Sequence, residues 1–249
     1  MTELPKAILA PTMRKLEKRF PFSPEDRAAF LALPVSVKKL DVAGYIVREA
    51  DIARSCCVLL EGFAYRHKIV GNGARQIVSI HIPGDMVDLH NSFLGIADHN
   101  VQMLTAGEVA LIPAKAVQDV AYAHPAIGRA MLLETLVDGS IFREWIANVG
   151  RRDARSRVAH LLCEFAVRLQ AAGESEGRNY SLPMTQEQLA DATGLTSVHV
   201  NRMIQSLRQG GLISTDRRSV TIENWDALAV AGDFNKAYLH PETAGGEPR

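Results

Sequence analysis

Apolar and polar positions recur with a helical period over residues 185–213 and predict two short helices joined by a sharp turn. Thr185 can cap the first helix, and Gln188 three residues later completes a capping box. Gly194 stands where the chain must turn, a position that favours a positive φ and no side chain. Thr196 can cap the second helix. The segment is therefore typical of a helix-turn-helix.

The second of these helices has one apolar and one polar face. Its buried stripe is predicted to consist of Val200, Met203, Ile204 and Leu207. The opposite face carries hydrogen-bonding or cationic side chains, namely Ser197, His199, Asn201, Arg202, Gln205 and Arg208. A helix anchored on one face that offers donors and acceptors on the other fits a DNA major groove. An ordinary helical hairpin with a polar outer face is the alternative.

Two short β-rich runs follow this helix and predict a hairpin. Leu212–Ser214 and Ser219–Ile222 flank the polar turn Thr215–Arg218. A hairpin directly after such a helix is a wing, and we expect Arg217 and Arg218 at its tip to contact phosphates. The alternative is that these two arginines are simply solvated.

Residues 35–113 have a different pattern, with short β-branched and apolar runs separated by glycines and polar turns. Examples of such runs are Val42–Val47, Cys56–Leu60, Phe63–Val70, Gln76–Ile82 and Val109–Ile112. Regularly spaced short strands favour an antiparallel sandwich or jelly roll. The sequence Gly71-Asn72-Gly73 predicts a hairpin turn, because Asn and Gly both tolerate positive φ.

A long helix is predicted after His124-Pro125 and is expected to end at Gly150, and a further helix is predicted over Arg152–Leu169. The main apolar stripe of the long helix is Ile127, Met131, Leu132, Leu136, Val137, Ile141, Trp145 and Val149. Other apolar side chains lie off this stripe, so the helix is apolar over more than one face. One face can cover the sheet, and a second copy of the chain can cover the other. Burial between two domains of one monomer is the alternative.

Length, charge and hydropathy limit the kinds of protein that this chain can be. The 249 residues suffice for two domains, and the formal net charge is zero. DNA binding must therefore depend on local basic patches, for which the candidates are Arg151, Arg152, Arg155 and Arg157. No apolar run approaches the length of a membrane span, and the N-terminus resembles neither a signal peptide nor a transit sequence. We expect a cytoplasmic protein without a membrane partner.

The cysteines and histidines fit no recognised ligand motif. Cys56, Cys57 and Cys163 are an odd number at spacings that suit neither a disulfide framework nor a zinc site. Cys56 and Cys57 are adjacent in a predicted strand, so one thiol is expected to be buried and the other exposed. The spacing of the remaining candidates, His81, His90 and His99, predicts no metal site and no cofactor.

An enzyme is the competing class of function. A hydrolase could in principle use His81, Asp85 or Asp88. The sequence contains no nucleophile elbow, phosphate-binding loop or metal-ligand pair to support this. We therefore predict no catalytic residues.

The order of these elements resembles the Crp/Fnr family of bacterial transcription regulators, which implies an α+β fold. The motifs that carry the resemblance are Ile82–Asp85, Gly150–Ala154 with Arg157–Leu162, Gly194–Arg202, and Ala231–Phe234 with Tyr238–Leu239. The resemblance implies a homodimer that binds a two-fold symmetric operator on double-stranded DNA. It also implies an effector sensed in the N-terminal roll, and contact with RNA polymerase if the protein activates transcription.

The resemblance divides the chain into four parts. Residues 1–123 are expected to form a cyclic-nucleotide-binding-like β-roll, and residues 124–150 a dimerisation helix. Residues 151–232 are expected to form a winged helix-turn-helix, and residues 233–249 a C-terminal tail.

Two departures from the family bear on the effector. Cyclic-nucleotide-binding members carry an Arg-Ser pair that grips phosphate, whereas the corresponding stretch Gly95–Gln102 has no arginine and contains Asp98. Members with an iron–sulfur centre use N-terminal cysteines, and no cysteine here precedes Cys56. We predict no tight binding of cyclic AMP or GMP and leave the effector unknown. A cyclic-nucleotide- or redox-responsive regulator, and a nucleotide-sensing module without DNA function, are the alternatives.

Many family members read bases with a glutamate, a serine and an arginine, and those positions here are Val198, Asn201 and Arg202. Arg202 can bind guanine, and Asn201 or Gln205 can read adenine. Val198 cannot accept a hydrogen bond but can pack on a thymine methyl, so we predict a different operator. The predicted DNA-contacting residues are Thr196, Ser197, Val198, His199, Asn201, Arg202, Gln205, Arg217 and Arg218.

Overall fold

The computed structural model describes residues 8–175 and 178–241 and has the predicted α+β fold. Two short helices, α1 (Ala10–Glu17) and α2 (Pro24–Leu31), precede the first strand and were not predicted. Ser23 starts α2 with a capping box that it forms with Asp26. Each helix has only eight residues, too few for a clear periodic signal, and the buried side chains are Thr12 and Leu16 in α1 and Phe30 in α2.

Seven strands form the N-terminal roll. They are β1 (Ser36–Leu40), β2 (Tyr45–Val47), β3 (Ser55–Glu61), β4 (Ala64–Ile69), β5 (Arg75–His81), β6 (Asn100–Met103) and β7 (Gly107–Pro113). One sheet has the strand order β1-β7-β3 and the other β2-β6-β4-β5. The prediction of antiparallel sheets is confirmed, and the predicted turn at Gly71-Asn72-Gly73 connects β4 to β5 with Gly73 at φ +83°.

The sequence pattern missed β1 and β6 for different reasons. Four of the five residues of β1 are exposed, so this strand has no alternation. All four residues of β6 are buried, including the polar Asn100 and Gln102. The Gln102 amide oxygen accepts from the Tyr65 hydroxyl at 2.7 Å, and its nitrogen donates to the Ala43 carbonyl at 3.1 Å. Because hydrogen bonds satisfy Gln102, a polar sequence can form an interior strand.

Both cysteines of β3 are buried, which corrects the prediction that one thiol would be exposed. Cys56 is 0% exposed and packs in an apolar cluster with Met86 and Ile112, whereas Cys57 is 3% exposed and packs with Val87 on the other side. The side chains do point to opposite faces, but both faces of β3 are covered. Burial, as the largest cause, raises the pKa of both thiols well above the usual value, so they stay protonated.

Within the roll, the short helix α3 (Asn91–Leu94) lies between β5 and β6. Three helices follow β7, namely α4 (Ala114–Ala123), α5 (Pro125–Arg151) and α6 (Ala154–Ala172). The long helix α5 begins at the predicted proline and ends at Arg151, one residue beyond Gly150. Asp153 then caps α6 by accepting from the backbone N–H of Ser156 at 2.9 Å.

The C-terminal part of the chain contains a three-stranded sheet and the two predicted short helices. Its elements are β8 (Asn179–Ser181), α7 (Gln186–Thr193), α8 (Ser197–Gln209), β9 (Ile213–Asp216), β10 (Ser219–Ile222) and α9 (Trp225–Ala231), with a 3₁₀ turn at Lys236–Leu239. The sheet has the order β8-β10-β9. This is a winged helix-turn-helix.

The described residues form two compact units. One contains the residues up to Arg66 together with Ile80–Gly139, and the other contains His67–Ser79 together with Ser140–Pro241. Among the helices described, none is long and apolar enough to cross a membrane.

Candidate DNA-binding interface

Local hydrogen bonds fix the turn between α7 and α8. The Thr185 hydroxyl accepts from the Gln188 N–H at 3.1 Å, and the Gln188 side chain accepts from the Thr185 N–H at 2.8 Å. Gly194 ends α7 in the left-handed region at φ +65°, and Thr196 caps α8 by accepting from the His199 N–H. The predicted caps and the positive φ are therefore confirmed.

Helix α8 presents the predicted polar face to solvent. Val200 and Leu207 are fully buried, and Met203 and Ile204 are half-buried. The exposed side chains are Thr196, Val198, His199, Asn201, Arg202, Gln205 and Arg208, and Ser197 is half-buried. Positions three or four residues apart share a helix face, so Val198 lies beside Asn201 and Arg202. An apolar contact, an amide and a guanidinium are thus offered together on one exposed surface.

The wing places its arginines at the tip of a tight hairpin. Strand β10 pairs with β9 in a register that sets Ser219 opposite Asp216 and leaves Arg217 and Arg218 in the turn. Both arginines are exposed, and Arg217 has a left-handed backbone with φ +50°. The Arg218 carbonyl accepts from the Leu182 N–H at 2.7 Å, which joins the tip to the segment that precedes α7.

Two arginines that the sequence suggested for a phosphate patch have structural partners instead. Arg152 pairs with Glu144 at 2.6 Å and with Asp233 at 3.1 Å. Arg157 donates to the Thr193 carbonyl at 3.2 Å and to the Arg152 carbonyl at 2.8 Å. Arg157 thus supports the last residue of α7, a role that the sequence alone did not indicate.

A buried polar cluster anchors the segment after α9 to α6. The two ring nitrogens of His160 lie 3.1 Å from the Gly232 carbonyl and 3.1 Å from the Tyr238 hydroxyl. Tyr238 donates to Glu164 at 2.7 Å, and Trp145 donates to the same carboxylate at 3.0 Å. Burial is the main cause that lowers the pKa of His160. The family-like motifs Arg157–Leu162, Ala231–Phe234 and Tyr238–Leu239 are the sequence signal of this cluster.

The hairpin between β4 and β5 contacts the first helix of the motif. Arg75 pairs with the Asp191 carboxylate at 2.7 Å, and the Gln76 amide donates to the Asp191 carbonyl at 2.7 Å. This contact joins residues that lie far apart in the chain, and no local pattern indicated it.

The three residues considered as catalytic groups of a hydrolase are buried, and each interacts with another part of the roll. Asp88 accepts from the Cys57 N–H at 2.7 Å, and Asp85 pairs with Lys15 at 2.6 Å. His81 lies 3.5 Å from Asp85 and is 2% exposed. These side chains hold the roll together and present no surface to a substrate.

The structure separates the three histidines that the sequence grouped. His81 belongs to the pair with Asp85, whereas His90 and His99 are neighbours with ring centroids 5.2 Å apart. Burial, followed by the charges of Arg66 and His99, lowers the pKa of His90 to about 4, so its ring is neutral. Asp98, in the stretch that departs from the nucleotide-binding pattern, has a side chain that is 80% exposed.

Two segments of the chain, one N-terminal and one C-terminal, match models of known domain families. A model described as a cyclic nucleotide-binding domain matches residues 38–124, and one described as a Crp-like helix-turn-helix domain matches residues 156–231. The chain is 29% identical over 180 residues to the transcriptional activator protein FnrL of Cereibacter sphaeroides, across 70% of this chain and 72% of the relative. It is 25% identical over 186 residues to the fumarate and nitrate reduction regulatory protein of Escherichia coli, across 74% and 73%.

Solved structures share the fold. The structure of FixK2 from Bradyrhizobium japonicum has a TM-score of 0.71 at 20% identity and covers 80% of this chain and 98% of that one. A CooA mutant from Carboxydothermus hydrogenoformans has a TM-score of 0.63 at 15% identity, with 80% and 88% covered. At these identities the likeness concerns the fold alone. The sequence relatives are transcription regulators and not enzymes, in agreement with the absence of predicted catalytic residues.

Proposed function

This chain belongs to the Crp/Fnr family of DNA-binding transcription regulators, and we propose that it binds a two-fold symmetric operator as a homodimer with α8 in the major groove. The observation that carries the proposal is the exposed polar face of α8 over a buried apolar stripe. Such a helix can enter the groove while Val200 and Leu207 keep it fixed to the domain.

The bases are read by neighbouring side chains on that face. Arg202 donates two hydrogen bonds to guanine O6 and N7, and Asn201 or Gln205 pairs with adenine N6 and N7. Val198 is 67% exposed and packs on a thymine methyl, where a glutamate would accept from a cytosine amino group. The proposed DNA contacts at the start of the helix are made by Thr196, Ser197 and His199. Backbone N–H groups at this helix end also face phosphates.

The wing supplies contacts to the DNA backbone. Arg217 and Arg218 are exposed at the hairpin tip, and a guanidinium there can neutralise a phosphate without reading sequence. The chain has no net charge to attract DNA from a distance, so these local charges have a large share of the electrostatic attraction.

The second copy of the chain packs against α5. Leu132, Leu136 and Ile146 are 59%, 56% and 69% exposed in the single chain. Their spacing corresponds to the d, a and d positions of a heptad, which face a partner in a two-stranded coiled coil. Three large exposed apolar side chains on one line of a long helix support a symmetric interface.

The effector acts in the roll and is not cyclic AMP or GMP. Asp98 occupies the stretch where a phosphate would need an arginine, and its exposed carboxylate repels an anion. A redox response through Cys56 and Cys57 has no support, because both thiols are buried and protonated. Micromolar affinity for either nucleotide by calorimetry would contradict this part of the proposal.

The remaining parts of the proposal follow from the family. We assign residues 1–123 to the sensor, residues 124–150 to the dimerisation helix, residues 151–232 to the DNA-binding domain, and residues 233–249 to the tail. Residues 1–7, 176–177 and 242–249 of these ranges lie outside the described residues. The protein acts in the cytoplasm, and it contacts RNA polymerase where it activates transcription.

Operator selection tests the proposed function. The full-length protein is used to enrich binding sites from random double-stranded DNA, and enriched sites are examined by mobility shift at several salt concentrations. We expect a two-fold symmetric site, and an affinity that falls steeply as salt rises because bound phosphates release counterions. Enrichment of no sequence at all would contradict the proposal.

A further inference from the structure

The turn after α3 brings together side chains that could hold a metal ion. His90 lies immediately before α3, and Gly95 ends this helix in a left-handed conformation at φ +86°. The chain then reverses, so that Asp98 and His99 lie beside His90 at the start of β6. The sequence spacing did not reveal this neighbourhood, because it depends on the reversal at Gly95.

The three side chains are close enough to share one ligand. The ring centroids of His90 and His99 are 5.2 Å apart with a 39° angle between the planes, and His99 Nδ1 is 2.6 Å from Asp98 Oδ1. One nitrogen or oxygen atom of each side chain lies within 4.8 Å of the corresponding atoms of the other two. Within residues 8–175 and 178–241 no other group of three His, Cys, Asp or Glu side chains is placed in this way.

We propose that His90, Asp98 and His99 bind a divalent first-row transition-metal ion. Two imidazoles and one carboxylate form the ligand set of catalytic zinc sites and of non-haem iron sites. Ions such as Mg²⁺ and Ca²⁺ prefer oxygen ligands alone, which this group does not offer. Bonds to such an ion are about 2.0–2.2 Å long. Side-chain rotations that move the three ligand atoms by about 1 Å would therefore bring them into its coordination sphere.

The backbone around the group is fixed on both sides. The Ala97 N–H donates to the Asp51 carbonyl at 3.0 Å, and the Ala50 N–H donates to the Ala97 carbonyl at 2.8 Å. The Ala53 N–H donates to the Gly95 carbonyl at 3.0 Å. Because these bonds hold the turn, the binding of an ion needs rotations of side chains and no rearrangement of the chain.

The exposure of the three side chains also suits an ion. The side chain of His99 is 5% exposed and that of Asp98 is 80% exposed, so the group is anchored in the roll and open to solvent on one side. The buried Arg66 is a nearby positive charge that acts on His90 and Asp98. The carboxylates of Asp138, Asp88 and Asp85 also interact with the charge of Arg66.

Metal titration of the full-length protein tests the proposal. The protein, free of any histidine tag, is stripped with a chelator and titrated with Zn²⁺ by calorimetry in a non-coordinating buffer. A parallel titration with Co²⁺ is followed by its visible absorption. We expect one ion for each chain, and at least about a tenfold loss of affinity in D98N and in H90N. The visible Co²⁺ spectrum should change in both variants, because each loses a ligand.

D98N keeps the test independent of folding, because the Asp98 side chain is mostly exposed, and circular dichroism verifies that the fold is retained. H124N is the matched control. His124 lies 3.0 Å from Asp26 and forms a His–carboxylate pair without a third ligand, so this variant should bind like the wild type. Less than one bound ion for each wild-type chain, or wild-type affinity in both D98N and H90N, would overturn the proposal. The readout is metal binding itself, so it does not depend on the proposed DNA function.

Discussion

Arg202 is exposed on α8 next to Asn201, on the face that we propose enters the major groove. We expect R202A to weaken operator binding by about 1–3 kcal/mol and to relax specificity at one base pair. The measurement is a comparison of mobility-shift affinities for the operator and for single-base variants of it.

R14A is the control for this variant, because Arg14 is an exposed arginine on α1 and is not part of the helix-turn-helix. Its affinity and base preference should equal those of the wild type. If R202A instead weakens binding equally on all DNA sequences, Arg202 contacts only phosphate.

Asp88 is a buried carboxyl whose titration affects the stability of the roll. Burial, as the largest cause, raises its pKa from 3.8 to about 6. At pH values between 3.8 and about 6, the folded state therefore keeps a proton that the unfolded state has released. The full stabilisation by this group is present below the pKa of the unfolded state. That stabilisation is lost as the pH rises to about 6 and above, and it amounts to at most about 3 kcal/mol.

D88N should remove this pH dependence, because Asn does not titrate and its oxygen can still accept from the Cys57 N–H. Urea unfolding of both proteins at pH values on either side of the Asp88 pKa measures the difference. D153N is a contrasting variant, since a hydrogen bond from Ser156 lowers the pKa of Asp153. Its stabilisation is present at higher pH and is lost as the pH falls. A wild-type and a D88N protein with parallel pH profiles would contradict the assignment.

At the scale of the element, Gly194 determines how α7 meets α8. Its φ of +65° costs an alanine roughly 1–2 kcal/mol, whereas asparagine adopts this region more readily. An added Cβ would lie 3.6 Å from the Arg157 guanidinium and 3.9 Å from Val149, which are ordinary contacts. Backbone conformation is therefore the only penalty.

We expect G194A to accelerate hydrogen exchange of the α7 and α8 amides in the full-length protein, and G194N to do so less. G71A is the control, because Gly71 has no positive φ and no atom within 4 Å of an added Cβ. Equal protection of G194A and the wild type would show that the turn tolerates a side chain.

The predicted elements differ in how far their own sequence determines them. The periodic stripe of α8 and its cap at Thr196 are local, and both were predicted. Helices α1 and α2 and strand β1 were missed because each is short and gains its stability from contacts elsewhere. Strand β6 was missed because its polar residues are buried and satisfied by distant partners such as Tyr65.

At the scale of the whole molecule, the exposed line of Leu132, Leu136 and Ile146 predicts the oligomeric state. L136E would place two like charges at the seam of a symmetric helix pair, so we expect it to separate the dimer into monomers. Sedimentation equilibrium gives the mass in solution, and loss of binding to the two-fold operator should accompany the change.

V230E is the matched control, because Val230 is 82% exposed on α9 and lies outside this seam. It should retain the mass of the wild type. A wild-type protein that is monomeric at operator-binding concentrations, or an L136E protein that stays dimeric, would contradict the proposed interface.

The sequence by itself determined the features that depend on neighbours along the chain. The capping box at Thr185, the left-handed glycine at 194 and the apolar period of α5 are set by interactions within about one helical turn. These features, with the order of the elements, were enough to predict the winged helix-turn-helix and the family.

Only the tertiary structure decided which distant side chains meet. Pairing of the strands covered both faces of β3 and buried Cys56 together with Cys57. The reversal at Gly95 placed His90 beside His99, although their spacing matched no ligand motif. Such contacts depend on strand pairing and chain reversal, which one sequence does not specify at the level of single side chains.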